Sequence, residues 1–131
     1  MQIKDRVGVI TGGVSGLGFG AARRLIDGGA SVVMLDINED KGKLATAELG
    51  DKARFLACDV SDSDSVAAAV AGARETFGAI HILVNAAGVA PAQRVVSRDG
   101  TLHDLELFRF TIGVNLIGMF DMIRNVAEVM A

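Results

Sequence analysis

An apolar run rich in β-branched residues, Arg6-Val7-Gly8-Val9-Ile10, breaks at Thr11 into Gly12-Gly13-Val14-Ser15-Gly16-Leu17-Gly18. The run predicts a short buried strand. The glycines let the chain turn tightly and let ligand oxygens reach main-chain N–H groups with no Cβ in the way. Gly18, Ala22, Leu25 and Ile26 recur at helical spacing, so the helix that follows can lay one face on a sheet. Its free N–H donors and the positive end of its dipole make the turn a site for an anion. Ser15 can cap this helix or touch the ligand; the sequence leaves both roles open.

A second apolar run, Ser31-Val32-Val33-Met34-Leu35, ends in Asp36. A carboxylate there can accept hydrogen bonds from both hydroxyls of a ribose and repels a 2′-phosphate. Strand, glycine loop, helix, strand and acid in this order point to a dinucleotide. Neither Val14 nor Ser15 nor Ile37 supplies a cation for a 2′-phosphate, so the expected cofactor is NAD rather than NADP. The alternative for Asp36 is a turn-forming acid ahead of Asn38.

The same rhythm continues down the chain. Lys41 to Leu49 is a helix candidate closed by Gly50, and Ala53 to Cys58 a third strand ending at Asp59-Val60. Ser61 or Ser63 can cap the next helix, whose buried face is Val66, Val70, Ala73 and Phe77, with Gly78 at its end. Ile80 to Val84 is a fourth strand, followed by Asn85-Ala86-Ala87-Gly88, a polar stretch, and a long helix from about Asp104 onward. The expected fold class is α/β, a Rossmann-type doubly wound parallel sheet with right-handed crossovers, represented by strands 1–4. Residues 1–131 read as one dinucleotide-binding domain with strand order 3-2-1-4, leaving Ile80–Val84 as an apolar edge.

Composition narrows the function classes. Half of the 131 residues are hydrophobic, with 16 glycines and one proline, as buried parallel strands joined by short turns require. A net charge of -3 gives no basic footprint for nucleic acid. The longest apolar stretch, 79–93, contains Asn85, Gly88 and Pro91 and is too short for a bilayer. His81 and His103 lie far from any ligand cluster, so no metal site is expected. Cys58 stands alone, which excludes an internal disulfide and points to a reducing, cytoplasmic compartment. It reads as a small buried hydrophobe in a strand. The N-terminus leads directly into the first strand, so no targeting segment is expected.

Thr11-Gly-x-x-x-Gly16-x-Gly18, Asp59-Val60, Asn85-Ala86-Ala87-Gly88 and Val114-Asn115 resemble, in order and spacing, the short-chain dehydrogenase/reductase family. The match runs through the whole chain but only the first half of such an enzyme. Within the family, Thr11–Gly18, Ala86-Ala87-Gly88-Val89-Ala90, Val114 to Phe120 and Ile123-Arg124 look most like the type II 3-hydroxyacyl-CoA dehydrogenases. The resemblance implies an NAD-dependent oxidoreductase acting on a secondary alcohol or ketone, a small-molecule substrate. By position, Gly12, Ser15, Gly16, Leu17 and Gly18 would surround the pyrophosphate and adjacent ribose. Asp36 would hold the adenosine ribose, with Asp59 and Val60 at the adenine. Asn85, Ala86, Ala87 and Gly88 would line the cofactor cleft. Asn115 would be the catalytic Asn of an Asn-Ser-Tyr-Lys tetrad, supporting a helix kink and a water-mediated proton relay. The family's serine, tyrosine and lysine would lie beyond Ala131; these residues contain no tyrosine at all.

Plainer alternatives stand beside these roles. Asn85-Ala86-Ala87-Gly88 can be small residues that permit close packing, and Asn115 an ordinary polar interruption of a helix. Gly113 stands where many relatives carry an acid, and lowers helix stability by about 1 kcal/mol relative to Ala. Leu105, Phe108, Ile112, Leu116, Phe120, Ile123 and Met130 make the last helix apolar on more than one face. Such a helix belongs to a core, or meets a second subunit as in the family's tetramers; a homo-oligomer through residues 104–131 is the expectation. Beside the enzyme stand a non-catalytic dinucleotide-binding module or truncated pseudoenzyme, and a structural partner with a vestigial site.

Overall fold

A computed structural model describes residues 2–131. Four parallel strands, β1 (Val7–Thr11), β2 (Ser31–Asp36), β3 (Ala53–Ala57) and β4 (Ile82–Asn85), form a sheet ordered β3-β2-β1-β4. Helices α1 (Gly16–Asp27), α2 (Glu39–Leu49) and α3 (Ser63–Phe77) make the crossovers. After β4 a loop carries a single antiparallel bridge, Val96 to Leu102. Then come α4 (Leu105–Ile112), a π-helical segment (Gly113–Gly118) and α5 (Met119–Met130). This is the doubly wound parallel α/β fold expected, with the expected strand order.

Alternation along the strands divides the core in two. Val9, Val33 and Leu35 face α3 and α5, packing with Val66, Val70, Met122 and Val126. Ile10, Val32 and Met34 face the other way, onto Ala22 of α1 and Ala45 of α2. Both faces of β1 and β2 are therefore buried, which is why these strands read as continuous apolar runs. Gly42 shows how closely α2 approaches the sheet: a Cβ there would lie 2.5 Å from the Phe55 ring.

Several boundaries differ from expectation. Asn38 starts α2 two residues early because its side chain accepts the Lys41 N–H (2.9 Å), with Glu39 and Asp40 favoured in the first turn. The cap of α3 is Asp62, not Ser61 or Ser63; its Oδ1 accepts the N–H groups of Asp64 and Ser65. β4 begins at Ile82, because the His81 side chain, through Nδ1, takes the Val7 N–H (3.0 Å) that a strand carbonyl would otherwise accept. Cys58 is buried but lies just past β3, its N–H donating to the Asp36 carbonyl. The long last helix is not continuous α-helix but carries the π-segment around Asn115.

Candidate functional site

The carboxyl ends of β1, β2 and β3 and the start of the loop after β4 open into one cleft of about 450 Å³. The parallel topology produces it: the crossover leaving β1 runs to β2 on one side, the crossover leaving β3 returns to β4 on the other side of β1, and the chain parts above the sheet at that point.

The glycine loop is shaped by contacts that tolerate no side chain. Gly12 has φ +61, and a Cβ there would come within 2.9 Å of the Ala86 carbonyl oxygen and the Ala87 backbone. A Cβ on Gly18 would fall inside the Gly12 carbonyl group. The first turn of α1 is thus pressed directly against the end of β1. Thr11 completes the junction. Its buried Oγ1 accepts the N–H groups of both Ala86 and Ala87 (3.1 Å each), tying the end of β1 to the loop after β4.

The N-terminus of α1 differs from those of α2, α3 and α4. Asn38, Asp62 and Asp104 each supply a side-chain acceptor to their helices, and each of these helices has an acid in its first turn. Ser15 sits at the N-cap of α1 in extended conformation with no capping bond from its hydroxyl, and the first turn holds no acid. The open alternative for Ser15 is thereby settled against side-chain capping. The helix presents uncapped N–H donors and the positive end of its dipole to the cleft, the arrangement an anion requires.

Two carboxylates stand at the next strand ends. Asp36 Oδ1 accepts the Asn38 N–H (3.1 Å), so the acid does serve the turn. A carboxylate has about four acceptor sites, so the turn and a ribose do not exclude each other. Asp59 Oδ1 accepts from Ser61 N–H (2.9 Å) and Ser61 Oγ (2.6 Å). Between them Cys58 closes the cleft floor. Burial pushes its thiol up from the ordinary value, against the lowering effect of its bond to Ser65, and Asp59, Asp62 and Asp121 add to the rise. It is a neutral apolar wall, not a nucleophile.

Of the residues singled out from sequence, Gly12, Ser15, Gly16, Leu17, Gly18, Asp36, Asp59, Val60, Ala86, Ala87 and Gly88 line this one cleft. Asn85 does not. It is still in the ladder, opposite Thr11, and the chain leaves the sheet only at Ala86. Its buried Oδ1 has no hydrogen-bond partner among the described residues. Asn115 does not line the cleft either. Its Oδ1 accepts the Val89 N–H (2.8 Å) and its Nδ2 donates to the Val89 carbonyl (2.7 Å). Both ends of the amide hold one peptide of the loop after β4, so Asn115 here is a positioning residue. Sequence reasoning missed Leu35, Ile37, Cys58, Val89, Phe110 and Val114 as lining residues and Thr11 as the junction. Thr11 was visible as the first residue of the glycine motif; the apolar ones carried no signal apart from core residues. Among the described residues no group of three His, Cys, Asp or Glu side chains converges to hold a metal, and no helix is long and apolar enough to cross a membrane.

The clamp has a measurable consequence. Asn115→Ala leaves the Val89 N–H and carbonyl partly buried without their partner, and each unpaired group costs about 1–3 kcal/mol. The expected loss is about 2–3 kcal/mol in denaturant unfolding. A loss below about 0.5 kcal/mol would show that the loop does not depend on it.

The sequence profile of the short chain dehydrogenases matches residues 6–131. The chain is 43% identical over 130 residues to the 3-hydroxyacyl-CoA dehydrogenase type-2 of Rattus norvegicus, covering 98% of this chain and 50% of that protein. It is 39% identical over 131 residues to momilactone A synthase of Oryza sativa subsp. japonica, covering 99% and 47%. It superposes with a TM-score of 0.86 and 35% identity on 3-ketoacyl-(acyl-carrier-protein) reductase from Brucella melitensis complexed with NADH, covering 97% and 51%. The chain spans about half the length of the curated relatives it matches. A profile match over nearly every residue, together with relatives of this identity, means that the chain belongs to the short-chain dehydrogenase/reductase family, whose members matched here are oxidoreductases.

Proposed function

We propose that the protein carrying these residues is an NAD-dependent oxidoreductase that interconverts a secondary alcohol and its ketone, and that residues 1–131 form the N-terminal part of its single dinucleotide-binding domain. The observation that carries the reading is the uncapped, acid-free N-terminus of α1 behind Gly12, Gly16 and Gly18, with Asp36 at the end of the adjacent strand. The α1 donors would take the pyrophosphate, with Ser15 and Leu17 beside it. Asp36 would accept the ribose hydroxyls and Asp59 the exocyclic amine of adenine, with Val60 against the ring. Ala86, Ala87 and Gly88 offer a wall without bulky side chains, and Asn85 stands behind it as support. Bound there, the nicotinamide supplies a hydride acceptor for alcohol oxidation. Asn115 keeps the Val89 peptide fixed, so the wall holds its shape as ligands come and go.

The substrate class proposed is a 3-hydroxyacyl-CoA or a related hydroxy compound. What supports it is that the rat relative and the Brucella reductase are both named for acyl groups oxygenated at carbon 3. The serine, tyrosine and lysine of the family tetrad would be supplied from outside these residues. A homotetramer through 104–131 fits the exposure of Leu116, Ile117, Phe120 and Ile123. A reducing, cytoplasmic setting fits a lone buried Cys58.

The test is an assay of the whole protein with NAD and with NADP against hydroxyacyl-CoA and hydroxysteroid panels. NAD reduction on at least one substrate is expected; silence on all of them removes the enzyme reading. Asp36→Ala should weaken NAD by roughly 10- to 100-fold, the worth of hydrogen bonds to a charged group. It should also relieve the bias against NADP. Equal affinity of the unaltered protein for both cofactors would show the assignment of Asp36 wrong.

A further inference from the structure

Phe110 is half exposed on α4, belongs to neither apolar core, and lines the cleft. Its direction follows from its neighbours at four-residue spacing, which share one face of a helix. Gly118 abuts β3's exit: a Cβ there would lie 2.7 Å from the Val60 carbonyl oxygen. Val114, buried, lines the cleft between Gly118 and Phe110. This face therefore looks toward Asp59 and Val60. Asn115, on the adjacent face, looks toward Val89 instead. One turn from Val114, Phe110 lines the same cleft as Ile37, Cys58 and Val60.

Ile37 comes from the β2–α2 turn and is 74% exposed, while Phe110 comes from α4 and is 51% exposed. Leu17, also bare at this cleft, belongs to the glycine loop; Ile37 and Phe110, outside that loop, gain most by covering a flat, weakly hydrated ring. We infer that Phe110 stacks on the adenine ring, with Ile37 on the same pocket, and sets the affinity for the adenosine half of the ligand. This rests on the dinucleotide reading above and names a residue that reading does not use.

The experiment titrates the whole protein and its Phe110→Ala, Phe110→Tyr and Phe110→Trp variants with NAD and with AMP by calorimetry. Phe110→Ala should weaken both ligands by the same factor, roughly tenfold, as loss of one base–aromatic stack does. Phe110→Tyr, which keeps the ring, should restore affinity. The thermal midpoint should hardly move, since the side chain lies outside both cores. Phe110→Trp should show tryptophan fluorescence quenched by AMP, a signal that a purely structural role would not produce. An unchanged AMP affinity in Phe110→Ala, or a loss confined to NAD, overturns the inference. If Phe110→Ala proves unstable, absence of AMP quenching in Phe110→Trp overturns it. Failure of the unaltered protein to bind either ligand overturns the dinucleotide reading itself.

Discussion

A polypeptide of residues 1–131 alone should turn over no alcohol while retaining weak affinity for adenine nucleotides. The titratable side chains lining the cleft are Asp36, Cys58 and Asp59. The two carboxylates stand at the ends of β2 and β3, each already bonded within its turn, and burial holds Cys58 as a neutral thiol. The proton exchange with the alcohol is proposed for the family's tyrosine, and these residues contain none. Positioned general acid/base catalysis is worth about 10²–10⁴-fold, and fixing donor against acceptor contributes further. The groups proposed for the adenosine half are all present, so nucleotide binding should survive in part.

The same polypeptide should self-associate. Among the described residues β4 pairs with β1 on one side only, so Ile82–Asn85 presents unpaired backbone on the other. On the last helix Leu116, Phe120 and Ile123 are exposed as well. An apolar edge of this kind recruits further strands. One preparation suffices to measure nucleotide binding, alcohol turnover and mass across concentration. Turnover from a pure, monomeric sample would refute the assignment of catalysis to groups outside these residues.

The second large effect is expected from Gly18→Val. The new side chain would collide with the Gly12 carbonyl, which is backbone and cannot swing aside. Gly12 itself is held by φ +61 and by the Ala86 and Ala87 backbone, so the strain passes into the loop that shapes the anion site. Overpacking of this kind costs about 3 kcal/mol at the upper end of its range. Denaturant midpoints should fall accordingly, and nucleotide affinity should drop below detection. Gly20→Ala is the control two residues on. Nothing lies within 4 Å of a Cβ there, and Ala in a helix is favoured by about 1 kcal/mol over Gly. Its stability should therefore be unchanged or higher. Equal tolerance of both substitutions would refute the close α1–β1 approach.

The elements most legible in the sequence were those whose signals are local. β1 and β2 are buried on both faces, so their apolar runs are unbroken. The buried face of α3 repeats at helical spacing through Val66, Val70 and Ala73. The glycine loop was legible because its need is absolute, a backbone approach that no other residue permits. Strand order followed from the dinucleotide-binding fold class that the glycine loop marks, in which β1 has a neighbour on each side.

What the tertiary structure alone decided are the pairings between residues far apart in the chain. Asp62 caps α3 although serines flank it, because cap choice turns on which side chain reaches the first N–H groups. Thr11 holds Ala86 and Ala87 only because β1 and β4 become neighbours. Asn115 spends its amide on Val89, and Gly118 meets Val60, where the π-segment turns the last helix against the sheet. Phe110, one apolar residue among many in that helix, acquires a direction only through those contacts. A single sequence carries the periodicity within an element, whereas the meeting of two elements is set by packing across the sheet. For that reason the anion loop could be read from residues 11–18, while Val89, Phe110 and Val114 could not be told from core residues.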